Sequence, residues 1–117
     1  MAAKDRLGIQ GERIAERHLV ARGMTVVDRN WRCPQGEIDL VLNDGDETVF
    51  VEVKTRSSVA YGHPLEAITV AKLARLRRLA AAWCAEHPGV GRIRIDAVAV
   101  VAPRHAPATV DHLERVF

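Results

Sequence analysis

Two runs of alternating apolar and charged residues lie in the middle of the chain, at residues 37–42 and 49–55. The turn-rich segment Asn43-Asp44-Gly45-Asp46 separates them, and this arrangement predicts a β-hairpin. Side chains alternate between the two faces of a strand, so one face of the hairpin is expected to be apolar. That face is predicted to carry Ile38, Leu40 and Leu42 from the first strand and Val49, Val51 and Val53 from the second.

The charged face of the same hairpin is expected to bring two carboxylates together. With the apolar faces matched, Asp39 falls opposite Glu52, and Glu37 falls opposite Lys54. Opposed carboxylates repel each other on an ordinary solvated strand, and the apolar residues around Glu52 favour a central strand covered on both sides. Carboxylate oxygens suit a hard divalent cation such as Mg²⁺. The pattern therefore favours a cation-binding pocket with an ammonium at its edge over a solvated outer face.

Helical periodicity and turn signals place the other elements around the hairpin. In chain order they are a helix at residues 4–22 that ends at Gly23, a strand at 24–29, a loop at 30–36, a loop at 56–63, a helix at 64–86, a strand at Arg92–Val101, a loop at 102–108 and a closing strand or short helix at 109–117. Arg94 and Asp96 share the polar face of their strand, where a structural ion pair is expected. The order α-β-β-β-α-β with a terminal element predicts one α/β domain, a mixed sheet flanked by helices.

Two charged residues occupy unexpected positions on the predicted helices. Glu12 lies at the border of the packing face of the first helix. Two interpretations stay open: it is an ordinary glutamate at the edge of the core, or it is a ligand of the site. Lys72 lies inside the apolar stripe of the second helix, between Ile68 and Leu76. Burying an unpaired ammonium costs several kcal/mol. The Lys72 side chain is therefore expected either to extend to solvent or to point into the acidic pocket.

The spacing Asp39…Glu52-Val53-Lys54 resembles the D-x(n)-E-x-K signature of the PD-(D/E)xK nuclease superfamily. The fuller pattern resembles the YraN family of uncharacterised nuclease-like bacterial proteins. Its pieces follow one another along nearly the whole chain: Gly11-Glu12, Ala15, Leu19, Gly23, Arg29-Asn30, Gly36-Glu37-Ile38-Asp39-Leu40, Phe50-Val51-Glu52-Val53-Lys54-Thr55-Arg56, Lys72, Arg94-Ile95-Asp96 and Phe117. Ile38 stands where the superfamily name has a proline, which this family generally lacks. The resemblance implies a restriction-endonuclease-like core and a nuclease-type site.

The same resemblance implies a Mg²⁺- or Mn²⁺-dependent nuclease that acts on DNA phosphodiesters. Asp39 and Glu52 would hold the cation, with the Val53 backbone carbonyl as a third ligand. Glu12 or Glu37 would assist through water, and the family pattern places Glu12 at the site. Carboxylates and not thiolates are the ligands that such a hard cation requires.

Basic residues complete the predicted site. Lys54 would orient the attacking water or stabilise the negative charge that develops on the phosphate. Arg56, Lys72 and Arg75 are predicted to contact nucleic acid. The DNA geometry stays open, with branched and single-stranded forms both considered. A homodimer is one way for so small an interface to span a duplex.

Composition bounds these predictions without replacing them. A net charge of +2 permits nucleic-acid binding and does not require it. No apolar run approaches 18 residues and no signal-like segment begins the chain, so a cytoplasmic protein with no membrane partner is expected. Cys33 and Cys84 are isolated, which indicates neither a zinc site nor a disulfide. The alternative function is a non-catalytic nucleic-acid-binding or assembly module that keeps the fold.

Overall fold

The secondary structure follows the predicted order from one end of the chain to the other. A computed structural model describes residues 5–60 and 62–117. Its elements are α1 (Arg6–Ala21), β1 (Thr25–Cys33), β2 (Gly36–Asp44), β3 (Glu47–Arg56), a 3₁₀ turn (Pro64–Ala67), α2 (Val70–Glu86), β4 (Arg92–Val101) and β5 (Thr109–Leu113). The predicted α/β class is confirmed, and the closing element is a strand. Lys4, where the first helix was predicted to begin, and Tyr61, in the loop after β3, lie outside the described residues.

The five strands form one mixed sheet in the order β1-β2-β3-β4-β5. β3 and β4 are parallel, whereas the other neighbouring strands are antiparallel. A parallel pair needs a long crossover connection, and α2 supplies it. The helices lie on opposite faces of the sheet, so the central strands are covered on both sides.

Each face of the sheet carries its own hydrophobic core. On one face, Ala15 and Leu19 of α1 pack with Leu40, Val51 and their neighbours. The core on the other face packs α2 against the sheet through Leu73, Leu76, Leu79, Ala80 and Trp83, with Val41, Phe50 and Ile95 below them. Burial of this kind is the main stabilising contribution to a domain of this size.

The prediction that Ile38, Leu40 and Leu42 share one face is wrong for Ile38. Leu40 and Leu42 belong to the core under α1, whereas Ile38 belongs to the core under α2. Residues two apart on a regular strand point the same way, so the alternation of β2 is interrupted at Asp39.

The loop predicted at residues 30–36 is also wrong, because β1 continues to Cys33. Trp31 pairs with Ile38 across the ladder and packs on the core under α2. Arg32 pairs with Glu37 and donates from Nε to its Oε2 at 2.7 Å. These cross-strand contacts outweigh the turn tendency of the segment.

The second helix begins six residues later than predicted. Residues 64–67 form a 3₁₀ turn, Ile68 is extended, and Thr69 caps α2 by accepting from the Lys72 N–H at 3.2 Å. Thr69 is a favourable N-cap residue, and Ile68-Thr69-Val70 is a run of β-branched residues with low helix preference. Lys72 therefore lies in the first turn of α2. No helix in the described part of the chain has the length and apolarity needed to cross a bilayer.

Candidate functional site

The sheet splits between β2 and β3. Their ladder ends at the pair Leu40–Val51, yet β2 stays paired with β1 and β3 stays paired with β4 beyond that point. A cleft therefore opens between the two strand ends, and Asp39 and Glu52 are the first residues past the last pair. The predicted register is confirmed, but the continuous ladder that would set Asp39 directly against Glu52 does not form.

Asp39 bridges the beginning of this cleft. Its Oδ2 accepts a hydrogen bond from the Val53 backbone N–H at 3.0 Å, in the place where the strands would otherwise exchange a backbone bond. The N–H and C=O of one strand residue point toward the same edge. The Val53 carbonyl therefore faces the cleft as well.

Three carboxylates from two elements converge here. The oxygens of Glu12 on α1 and of Glu37 and Asp39 on β2 lie within 4.8 Å of one another. Asn30 donates from Nδ2 to Glu12 Oε1 at 2.8 Å, and Arg32 holds Glu37 through the bond between their side chains. Each glutamate is thus held in place by a residue of β1.

A glycine lets α1 come close enough to deliver Glu12. Gly11 lies over Thr55 of β3, and a Cβ added at Gly11 would overlap the Thr55 side chain. Any larger residue at that position would force α1 away from the strand. The sequence pattern Gly11-Glu12 therefore has a physical reason, since the close approach of the glycine sets the position of the next carboxylate.

Glu52 lies on the β3 side of the cleft and outside the tight group of three carboxylates. Burial raises its pKa to about 7, and the charge of Asp39 adds to the rise. Lys54, Arg75 and Lys72 act in the opposite direction without cancelling it. Burial and a like charge both disfavour ionisation of a carboxyl group, so Glu52 titrates near neutrality.

Two lysines meet at the edge of the cleft. The pKa of Lys72 is lowered, chiefly by the neighbouring Lys54 ammonium and then by partial loss of water. The charge of Glu52 acts on Lys72 in the opposite sense. Lys72 is half-buried and lies near enough to Lys54 and Glu52 for their charges to act on it. It does not belong to the lining of the cavity, so its entry into the acidic pocket stays a prediction. Arg75, one turn further along α2, is exposed.

The predicted catalytic residues line a single cavity of about 340 Å³. Its walls include Glu12, Asp39, Glu52, Val53, Lys54 and Arg56. Glu37 joins them through the carboxylate group, whereas Lys72 and Arg75 approach from α2. Several half-buried oxygen donors with no thiolate or imidazole among them fit Mg²⁺ or Mn²⁺. The sequence predicted Asp39 and Glu52 as the ligand pair. In the structure the carboxylate oxygens that lie close together belong to Glu12, Glu37 and Asp39.

Asn30 and Arg32 were given no role from the sequence. Asn30 has a positive φ of 49°, a conformation that asparagine tolerates better than most residues, and its amide reaches Glu12. Arg29-Asn30 stood in the family pattern, which was the available signal. Because residues 30–36 were predicted as a loop, the sequence did not indicate that the side chains of Asn30 and Arg32 lie beside the carboxylates.

Comparison with known proteins gives a consistent family assignment and no activity. Residues 11–100 match the model of "Uncharacterised protein family UPF0102". A UPF0102 protein from Beutenbergia cavernae is 62% identical over 117 residues, which covers 99% of each chain. Another from Kineococcus radiotolerans is 59% identical over 116 residues, covering 97% of this chain and 95% of the relative. Matches of this extent show that the chain belongs to the UPF0102 family.

Proposed function

We propose that this domain is a divalent-cation-dependent nuclease that hydrolyses DNA phosphodiester bonds. The observation that carries the proposal is the cleft between β2 and β3, where carboxylates from α1, β2 and β3 surround one cavity with a lysine at its edge. The split sheet gives this cavity two walls of different chemistry. Carboxylates on α1 and β2 form one wall, and Glu52 and Lys54 form the other.

The acidic wall suits a cation that binds a phosphate. Mg²⁺ or Mn²⁺ bound there would offset phosphate charge and lower the pKa of a water molecule. Asp39 and Glu12 are held by hydrogen bonds from Val53 and Asn30, so their oxygens are positioned before any ligand arrives. Because these side chains are already ordered, ligand binding does not carry the entropic cost of ordering them.

The other wall suits proton handling and charge stabilisation. Without a cation, Glu52 has a pKa of about 7 and is easily deprotonated near neutral pH. When a cation displaces that proton, the carboxylate can accept a proton from water positioned in the cavity. Lys54, two residues along the same strand, donates hydrogen bonds toward the charge that develops on the phosphoryl oxygens. Lys72 and Arg75 add positive charge on the side where the phosphodiester backbone would lie.

A cleavage screen tests this proposal. Purified protein is incubated with Mg²⁺ or Mn²⁺ and with branched, single-stranded and duplex DNA, beside the Asp39→Ala variant and a chelator control. The proposal predicts cleavage of at least one DNA form that requires the cation and disappears in Asp39→Ala. Cleavage that persists in the variant would indicate a contaminating nuclease. Metal-independent DNA binding without any cleavage would favour the non-catalytic binding module instead.

A further inference from the structure

A second and larger groove opens between α1 and β1, beside the cavity of about 340 Å³ that the carboxylates line. Its volume is about 690 Å³, and it shares Glu12 and Asp39 with the smaller cavity. The groove therefore leads directly to the carboxylates. Ile9, which is 39% exposed, gives it an apolar part, with the buried Leu40 behind it.

Four arginines line the remainder of this groove: Arg13, Arg17, Arg29 and Arg32. Two of them are already engaged within the fold. Arg29 forms two hydrogen bonds with Glu16, at 2.6 and 3.0 Å, and Arg32 contacts Glu37. These pairs hold the two guanidinium groups along the wall formed by β1.

Arg13 and Arg17 differ from the other two because neither forms a hydrogen bond or ion pair with any residue of 5–60 and 62–117. They are exposed and one helical turn apart on α1. Like charges at this spacing destabilise a helix slightly. Glu16, the nearby acid on the same helix, is bound to Arg29. An anion in the groove would relieve the repulsion between Arg13 and Arg17.

We propose that this groove binds an unpaired segment of the DNA strand that enters the carboxylate site. Arg13 and Arg17 contact successive phosphates of that strand, and the apolar part of the groove receives a base. The inference rests on the nuclease proposal for the identity of the ligand. It adds the path of the strand and a preference for unpaired DNA.

The dimensions of the groove favour one strand over two. A volume of 690 Å³ lies within the range of about 300–1,000 Å³ typical of ligand pockets. A single strand can lie within a groove of this volume, whereas a duplex would have to bind across its mouth. Sequence-tolerant recognition of single strands uses a positively charged groove that follows the backbone, together with surfaces for the unpaired bases. The arginines of this groove supply the first, and the exposed Ile9 supplies an apolar surface for a base.

Fluorescence anisotropy with labelled oligonucleotides tests the inference in chelator-containing buffer, where no cleavage occurs. The ligands are an oligothymidylate, a blunt hairpin duplex and an oligouridylate of equal length. The Arg13→Gln, Arg17→Gln double variant is compared with Arg22→Gln, Arg104→Gln, which removes the same charge outside the groove. Binding of Mn²⁺ by calorimetry checks that the carboxylate site is intact in both.

Wild type is expected to bind the oligothymidylate more tightly than the duplex, and the groove variant is expected to lose most of this affinity. Each phosphate contact on a single strand contributes about 0.7 to the slope of log K against log salt. The slope should therefore become less steep by about 1.4 in the groove variant and stay unchanged in the charge-matched control.

Several results would overturn the inference. Equal affinities for the groove variant and the control would remove the arginines from the strand path, while cation-dependent cleavage lost in Asp39→Ala would still support the nuclease proposal. A wild-type preference for the duplex would exclude the unpaired segment, and a preference for the oligouridylate would exclude DNA. Wild type that binds none of the ligands would overturn the inference, while the nuclease proposal would still be decided by the cation-dependent cleavage screen.

Discussion

Acidic residues lie at both ends of the β2–β3 hairpin, at the turn and at the split beyond Leu40–Val51. The two ends differ in how the negative charges of these residues are balanced. At the turn end, Asp44 and Glu47 contact Arg94, which extends this ion-pair network along β4 to Asp96. Asp96 pairs with Val51 in the ladder and is 0% exposed. It accepts hydrogen bonds from two nitrogens of Arg94 and from the Arg115 backbone N–H, and its Oδ2 lies 2.8 Å from His112 Nε2. At the split end, Glu52 is half-buried near Asp39 and its pKa rises to about 7. In the turn-end network each carboxylate has a positively charged partner, whereas at the split end Glu52 lies beside the like charge of Asp39.

The turn end also binds Glu47 firmly. Arg115 donates to both of its oxygens, at 2.6 and 2.9 Å, and Arg94 lies within 3.3 Å. The Arg115 guanidinium lowers the pKa of Glu47. The expected Arg94–Asp96 ion pair is thus confirmed as part of a larger network that ties β3, β4 and the chain after β5 together.

The comparison separates a region built for stability from one in which charges conflict. Local conflicts that a fold retains are typical of functional sites. A divalent cation would offset the repulsion between the carboxylates at the split end. At the turn end it would offset nothing, because arginines already pair with the carboxylates there. The predictions below alter one end at a time and are ordered by the size of the expected effect.

The largest effect is expected from Asp96→Ala, in the ion-pair network that extends from the turn end along β4. The change removes a buried partner of Arg94 and leaves the Arg115 backbone N–H and His112 without their acceptor. Loss of one partner of a buried ion pair costs about 3–5 kcal/mol, and the contacts of Arg94 with Asp44 and Glu47 favour the lower part of that range. Urea denaturation should show this loss in the free energy of unfolding. The control is Asp46→Ala, whose side chain is 80% exposed and should change stability by less than about 1 kcal/mol. Equal losses in the two variants would deny the network its structural role.

Lys54→Met at the split end should act on chemistry and leave stability nearly unchanged. Loss of one charge-stabilising donor lowers turnover by about 10²–10³-fold, while DNA affinity changes little because the interaction belongs to the transition state. Single-turnover cleavage and anisotropy separate the two quantities. Arg104→Gln serves as the charge-matched control, because Arg104 is exposed and lies outside the cavity. A Lys54 variant that only binds DNA more weakly would turn this residue into a phosphate contact.

Glu52→Gln should stabilise the metal-free protein, in a manner that depends on pH. The carboxyl group ionises near pH 4.5 in the unfolded chain and near 7 in the folded one, so wild-type stability falls as pH rises between these values. The variant escapes this loss, which reaches about 3 kcal/mol at pH 8 and vanishes at pH 4. Denaturation curves at both pH values measure the difference. A gain independent of pH would mean that Glu52 is not strained by ionisation.

Arg56→Gln is expected to have the smallest effect. Arg56 is half-buried at the end of β3 and donates to the Thr55 carbonyl at 3.3 Å, so its guanidinium is positioned beside the cavity. Loss of one phosphate contact should flatten the salt dependence of DNA binding by about 0.7–0.9 and leave saturated turnover unchanged. Lower turnover with an unaltered slope would place Arg56 in the reaction instead.

Local pattern predicted the strands that carry the site, and long-range packing decided its shape. Period-two alternation was enough to place Asp39 and Glu52 on neighbouring strands in the correct register. It could not reveal that the ladder ends at Leu40–Val51, because the split depends on how α1 and α2 pack on the two faces. For the same reason the sequence missed the interrupted alternation beside Ile38.

The second helix shows the same limit at a smaller scale. Helical periodicity extended it back to residue 64, whereas the Thr69 cap and the extended Ile68 start α2 at Val70. Lys72 was therefore expected inside a continuous apolar stripe and lies instead in a first turn, beside Lys54. Its partners come from a strand far away in sequence, which periodicity within one helix cannot identify.

The central claim is that a divalent cation relieves the charge conflict at the split end. Calorimetric titration with Mn²⁺ at pH 6.5, repeated in buffers of different ionisation enthalpy, tests it directly. The account predicts weak binding that is accompanied by proton release, because a carboxyl group with a pKa of about 7 is mostly protonated at that pH. The Asp39→Asn, Glu52→Gln double variant should lose both the binding and the proton release. Unchanged Mn²⁺ binding in that variant would contradict the account.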